Sequence, residues 1–287
     1  MSKRNAFEDF NPVINFIFFA LAIVFGMIFM HPVFLVISVV LSIGFYVTIA
    51  GRDALKLFLM LLPVALGISL LNPLLNTSGE TVLFTYFGRN YTLESMLYGV
   101  VFAAILVSIS FWFAAYSRII TSDKFIYIFG PLAPSLSLVF TMVLRFLPNY
   151  GNKAKQISTA RQCIGKGGKT DVPQVLGTLT TWSFENGITT YESMRSRGYG
   201  SGRRTNFSVY RFTARDAVLT VFILVLAFVV ALCAIKGGAT ENYVPALEFA
   251  NNVYTVIGAT AYALLLLIPI VLNVKEAFTW RILRSKI

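Results

Sequence analysis

The chain has 287 residues, of which 56% are hydrophobic and only 13% are charged. Because a soluble domain carries about 25% charged residues, this composition excludes an ordinary soluble protein and indicates an integral membrane protein. The net charge of +11 is typical of a membrane protein with basic cytoplasmic loops. We therefore expect the lipid bilayer as a partner, and no nucleic acid.

Six segments are apolar enough to cross a membrane, which takes about 20 residues per helix. In chain order they span residues 13–30, 33–50, 55–71, 95–116, 217–235 and 249–272. Polar loops follow the third segment at residues 72–92 and the fifth at residues 236–247. We predict a four-span membrane region over residues 1–116 and a two-span membrane region over residues 213–287. The first segment lacks a small-residue cleavage site, so we interpret it as an uncleaved span.

Lysine and arginine predict the orientation of these spans, because both accumulate in cytoplasmic loops. Six crossings place Lys3 and Arg4 in the cytoplasm together with the basic C-terminus. Arg89 and Lys236 are then the basic residues of the outside loops. We expect a multi-pass protein of the cell membrane with both termini in the cytoplasm.

Residues 117–212 are polar, basic and rich in glycine, and we expect them on the cytoplasmic side. Residues 125–146 are apolar enough to suggest a seventh crossing. That crossing would place the basic stretch of residues 153–211 outside, against the charge rule. We predict instead an amphipathic helix at the cytoplasmic face, from Leu136 to about Gly165. A crossing by residues 125–147 is the alternative.

A second long helix is predicted in the same region. Asp171 is a suitable N-cap, and Pro173 belongs in a first turn. Gly198 is predicted to end this helix. The predicted fold is an all-α integral membrane protein with about six transmembrane helices and two long cytoplasmic amphipathic helices.

Sites for catalysis, metals or cofactors are not expected. Residues 163–170 end like a phosphate-binding loop, but Cys163 stands where the first glycine belongs. Cys163 and Cys233 lie in different segments and predict neither a disulfide framework nor a metal cluster. His31, the single histidine, precedes a proline at a turn and is interpreted as a loop feature.

The end of the second helix carries the most specific pattern, E-S-M-R-S-R-G-Y-G at residues 192–200. Arg195 and Arg197 lie in the last turn, where cations favour the helix dipole. An arginine can donate two parallel hydrogen bonds, so it suits an acidic or carbonyl-lined groove on another protein. The alternative is a helix end that meets lipid headgroups.

These residues resemble the transmembrane T component of energy-coupling factor (ECF) transporters, which carries an Ala-Arg-Gly motif at the end of each of two cytoplasmic coupling helices. The stretch Ser196-Arg197-Gly198, followed by Tyr199, resembles the second motif. The first corresponds to residues 160–165, where Ile164 replaces the arginine. Supporting resemblances lie at His31-Pro32, Asn72-Pro73, Ser122-Asp123-Lys124 and residues 144–148.

The resemblance implies a scaffold subunit that is not itself an enzyme and needs no cofactor. Two ABC-type ATPases would dock on the coupling helices, and a separate small membrane protein would bind the substrate, a vitamin or a transition-metal ion. Both a dedicated and a shared scaffold are compatible with it. The implied docking residues are Ala160, Arg161, Gly165, Arg195, Ser196, Arg197, Gly198 and Tyr199. For the missing arginine of the first motif, Arg161 and Lys166 are the candidates.

Two other functions are weighed against this one. A conventional ABC permease would line its own substrate pathway and is expected to bring one coupling segment. An intramembrane enzyme would need clustered His, Asp or Glu near the interface. Ionisable residues are nearly absent from the middle of the predicted spans, which favours a scaffold over both, because such residues usually mark substrate and proton pathways.

Overall fold

The structure is a computed structural model that describes residues 6–75, 81–86, 89–165, 171–199, 210–239, 241–242, 248–249 and 252–284. Helices dominate it. In chain order they are α1 (Pro12–Ile28), α2 (Pro32–Ala50), α3 (Arg52–Leu75), α4 (Leu93–Ile119), α5 (Ser122–Phe129), α6 (Pro134–Cys163), α7 (Val172–Ser196), α8 (Ala214–Cys233) and α9 (Val253–Arg284).

Two short antiparallel hairpins interrupt the helical pattern. Strands β1 (Val82–Tyr86) and β2 (Arg89–Thr92) form the first, and β3 (Glu241–Asn242) and β4 (Glu248–Phe249) form the second. The first hairpin lies in the predicted polar loop of residues 72–92. In the second, β3 lies in the predicted loop of residues 236–247, but β4 includes Phe249, where the sixth span was predicted to begin. The helix α9 begins instead at Val253. Apart from these hairpins the regular structure of the described residues is helical, as expected for an all-α membrane protein.

The chain divides into two compact units. The first comprises Met1–Ser122 together with Tyr210–Ile287, and the second comprises Asp123–Val209. The predicted N-terminal and C-terminal membrane regions therefore lie in one unit, while α6 and α7 form most of the other.

Five helices of the first unit, α2, α3, α4, α8 and α9, are long and apolar enough to cross a membrane. Helix α1 is also apolar but has 17 residues. Large apolar side chains remain exposed along these helices; on α3, Leu55 is 63% and Met60 is 74% exposed. In water such surfaces would be unfavourable, so the first unit indicates a membrane-embedded multi-pass protein. Helix α6, with 30 residues, is long enough to cross a membrane but is not apolar enough to be a candidate span.

An aromatic cluster forms the core of the first unit. Phe7, Phe18, Phe19, Phe45 and Trp112 are fully buried. Phe18 meets Trp112 edge to face at 5.8 Å between ring centres, a geometry that aligns the positive edge of one ring with the negative face of the other. The cluster joins α1, α2 and α4 to the segment before α1.

Several contacts lie at one end of this bundle. Arg118, near the end of α4, donates to Asp53 at the start of α3 over 2.9 Å. Arg215, at the start of α8, lies 4.0 Å over the ring of Phe10, and the Phe7 amide donates to Asn273 in α9.

The end of α2 lies at the same end of the bundle. Phe7 meets Phe45 near the end of α2, and Arg118 lies over the ring of Tyr46 in the same helix. The six apolar helices therefore alternate in direction through the bundle.

Helix starts at two X-Pro pairs are capped by side chains. The Asn11 side chain accepts a hydrogen bond from the Val13 amide at 3.1 Å before α1. His31 Nδ1 accepts one from the Val33 amide at 3.4 Å before α2, and each following proline occupies the first helical turn. His31 is 2% exposed, so this histidine at the turn is a buried N-cap of α2.

Candidate docking site

Helices α6 and α7 pack side by side in the second unit. Tyr150 meets Trp182 edge to face at 5.6 Å, and Lys153 Nζ lies 5.4 Å from the centre of the same indole. Arg161 contacts Asp171 closer to the connecting segment. Residue numbers in these pairs rise along α6 and fall along α7, so the two helices are antiparallel. Helix α6 continues through Pro148 without interruption.

Helix α7 ends in a glycine-capped turn that orients Arg197. The Gly198 amide donates to the Arg195 carbonyl and the Tyr199 amide donates to the Met194 carbonyl, both at 3.0 Å. These are the two hydrogen bonds of a Schellman motif, with Arg197 as C-cap. Gly198 has φ of +74°, a left-handed conformation that a Cβ atom disfavours. The predicted end of the helix at this glycine is confirmed.

The two arginines at this end are exposed. Among the residues that the structure describes, no acidic side chain forms an ion pair with Arg195 or Arg197. Tyr199 is 42% exposed, and the Ser196 hydroxyl donates to the Ser193 carbonyl. The end of α7 thus presents two guanidinium groups and a phenol ring that are accessible to a partner.

Helix α6 also ends at a glycine in the left-handed conformation. Gly165 has φ of +75°, and its amide donates to the Gln162 carbonyl at 3.0 Å. The C-cap residue here is Ile164, which is 68% exposed. Ile164 therefore occupies the position at the end of α6 that Arg197 occupies at the end of α7.

Arg161 has a different position from Arg197. Its Nε and Nη2 donate to the two carboxylate oxygens of Asp171, each over 2.6 Å, and the side chains are 24% and 17% exposed. These hydrogen bonds raise the pKa of the Arg161 guanidinium, which stays charged at any working pH. Of the predicted docking cations, Arg161 is held by a partner within the chain, and Lys166 lies outside the described residues.

Asp171 precedes α7 as predicted, but its side chain does not cap the helix. Its carboxylate is directed to Arg161 instead. Ala160 and Gly165 are exposed near the end of α6. The structure thus brings Arg161 and Asp171 together, whereas the two exposed arginines of α7 lie at the other end of that helix.

An exposed apolar face of α7 was not recognised in full from the sequence. Phe184, Ile188 and Tyr191 are 71%, 61% and 62% exposed. With 3.6 residues per turn, these side chains and Arg195 project within about 60° of one another. Phe184 was not singled out from the sequence, although its spacing to Ile188 and Tyr191 is the signal that identifies it.

The described residues contain no group of three His, Cys, Asp or Glu side chains placed to hold a metal ion. The glycine-rich segment that resembles a phosphate loop lies largely in residues 166–170, outside the described ranges. Comparison with protein-family models gives no match, and comparison with curated proteins gives none either.

Proposed function

We propose that this chain is the transmembrane scaffold subunit of an ECF-type ABC transporter. In this function two ABC-type ATPases dock on α6 and α7 from the cytoplasm, and a separate small membrane protein binds a vitamin or a transition-metal ion. The chain transmits the closure of the ATPases to that protein and hydrolyses no ATP itself.

The observation that carries the proposal is the end of α7. A Schellman turn fixes Arg197 and Tyr199 at the tip of a long polar helix, and no described acidic residue neutralises Arg195 or Arg197. An arginine can make a forked, charge-assisted contact in a partner's groove. The exposed side chains of Phe184, Ile188 and Tyr191 extend the candidate contact surface along the same helix.

The proposed topology places the α6–α7 unit and both termini in the cytoplasm of a cell whose membrane holds the first unit. The alternating direction of the apolar helices supports an even number of crossings. Asp53, Lys56 and Arg118 cluster at one end of that bundle, in the position that the positive-inside rule assigns to the cytoplasm.

Co-purification tests the proposal. The tagged chain is isolated in mild detergent from its own cells, and its partners are identified by mass spectrometry. The proposal requires ABC-type ATPases together with a small membrane protein that binds substrate. Recovery of ATPases alone would support a conventional permease, and recovery of neither would contradict both functions.

A further inference from the structure

The ends of α6 and α7 can be compared residue by residue because both close with a glycine cap. Each C-cap residue is followed by a glycine, with φ of +75° at Gly165 and +74° at Gly198. Each glycine amide donates to the carbonyl three residues earlier at 3.0 Å. Side chains at equivalent positions therefore leave the two helices in equivalent directions, so Ile164 corresponds to Arg197.

By the same comparison Arg161 corresponds to Met194, one turn before the C-cap. A guanidinium at that position lies one turn before the C-cap and about 60° around the helix axis from it. Arg161 uses Nε and Nη2 on Asp171, and this bidentate contact joins the last turn of α6 to the residue that precedes α7. To enter a partner's groove, Arg161 would have to leave a carboxylate that is 17% exposed.

We propose that Arg161 and Asp171 form a clasp that positions α6 against α7, and that Ile164 is the side chain that α6 presents to an apolar pocket on an ATPase partner. This inference rests on the proposed function. Arg161 is then a positioning residue and makes no contact with the partner.

Charge complementarity gives the chemistry of the pocket. At the end of α6 the charge of Arg161 is neutralised by Asp171, and Ile164 is uncharged. A carboxylate placed in the pocket for Ile164 would be desolvated without a partner, which is unfavourable. The pocket for α6 is therefore apolar, whereas the pocket for α7 carries acidic or carbonyl groups that pair with Arg197.

A charge swap distinguishes a clasp from a docking cation. Affinity is measured between the chain in nanodiscs and the ATPase subunits that co-purify with it, produced separately. Arg161→Asp places two carboxylates together and should weaken binding at least about tenfold. The double variant Arg161→Asp with Asp171→Arg restores the ion pair and should bind within about threefold of the wild type. If Arg161 were instead a docking cation, the swap would place the guanidinium at position 171, before α7, and would not restore binding.

Ile164 supplies an independent variant. Ile164→Asp should weaken the same binding at least about tenfold, because it places a charge in an apolar pocket. Ile164→Leu keeps the apolar volume and should bind nearly as well as the wild type. Unchanged binding of Ile164→Asp, or a swap as weak as Arg161→Asp alone, overturns the proposal.

A fluorescent label separates a protein pocket from the bilayer. In the double variant Cys163→Ser with Ile164→Cys, a bimane attached to the introduced thiol should be shielded from aqueous iodide only after the ATPases are added. Quenching by nitroxide-labelled lipid without ATPases would mean that this position meets the membrane, which also overturns the inference.

The inference and the proposed function fail in different ways. A wild-type chain that binds no ATPase contradicts the proposed function. A chain that binds ATPases through Arg197 but is insensitive to Ile164→Asp retains the function and contradicts only the apolar pocket.

Discussion

At the scale of single residues, Gly198 determines how the proposed docking end of α7 is oriented. Its φ of +74° is in the left-handed region, which costs a residue with a Cβ atom about 1–2 kcal/mol. The sequence was sufficient to predict this conformation. The end of the helical pattern of apolar residues is followed by arginines and then a glycine, which is a local signal for a helix C-cap. No contact with a distant part of the chain is needed to produce it.

Gly198→Val should shift Tyr199 and Arg197 away from their present positions, because a β-branched side chain disfavours the left-handed conformation. We expect weaker ATPase association with normal membrane insertion, measured by co-purification from equal amounts of inserted chain. Gly177→Val is the matched control, since Gly177 lies inside α7 with no other atom within 4 Å of the position of an added Cβ. Equal association of the two variants would contradict the role of the glycine cap.

The ion pair between Arg161 and Asp171 could not be predicted from the sequence in the same way. Both residues were assigned other roles, one as a docking cation and one as an N-cap. Their contact depends on how α6 and α7 fold back across a glycine-rich connection, and a glycine-rich connection permits many such arrangements. Local propensity therefore identified the helix ends but not the side-chain contact between them.

At the scale of elements, the apolar helices were predictable because a helix that spans a bilayer must be both long enough and apolar enough. The helix boundaries shifted outward in several cases; α3 begins at Arg52, three residues before the predicted span of residues 55–71. The β1–β2 hairpin was missed because each strand has at most 5 residues. Segments this short give little periodic signal.

Packing between α3 and α4 depends on Gly99. A Cβ atom there would lie 2.8 Å from the Ser69 carbonyl oxygen and 2.9 Å from the Asn72 Cβ, distances that require the backbones to move. Gly99→Ala should therefore destabilise the membrane unit by about 1–3 kcal/mol, as overpacking does.

The measurement is the thermal unfolding midpoint of the purified chain in detergent. Gly67→Ala is the control, because an added Cβ on Gly67 would meet no atom within 4 Å. A drop in the midpoint for Gly99→Ala alone is expected. An equal midpoint in both variants would mean that α3 and α4 are not packed closely at Gly99.

At the scale of the whole molecule, the proposed topology can be tested with a native thiol. Cys163 is exposed at the end of α6, whereas Cys233 is buried in α8. If α6 and α7 lie in the cytoplasm, a membrane-impermeant maleimide should leave Cys163 unlabelled in intact cells and label it in inside-out vesicles.

A cysteine introduced at Ser78, which precedes β1 in the sequence, is the control for the opposite side. With Cys163 replaced, that variant should be labelled in intact cells and protected in inside-out vesicles. Labelling of Cys163 in intact cells would reverse the proposed orientation and place the docking residues outside the cytoplasm.

The central claim is that the end of α7 docks an ATPase through Arg197, and the affinity of Arg197→Ala tests it most directly. Loss of one partner of a buried, hydrogen-bonded charge pair costs about 2–5 kcal/mol, or roughly 30- to several-thousand-fold in affinity. Arg197→Lys retains the charge but loses the forked contact, so it should bind with intermediate affinity. The measurement is ATPase binding to the chain in nanodiscs, with Arg211→Ala as the control at an exposed arginine outside α7. We expect Arg197→Ala to lose ATPase binding while Arg211→Ala retains it; wild-type affinity in Arg197→Ala would contradict the proposed docking site.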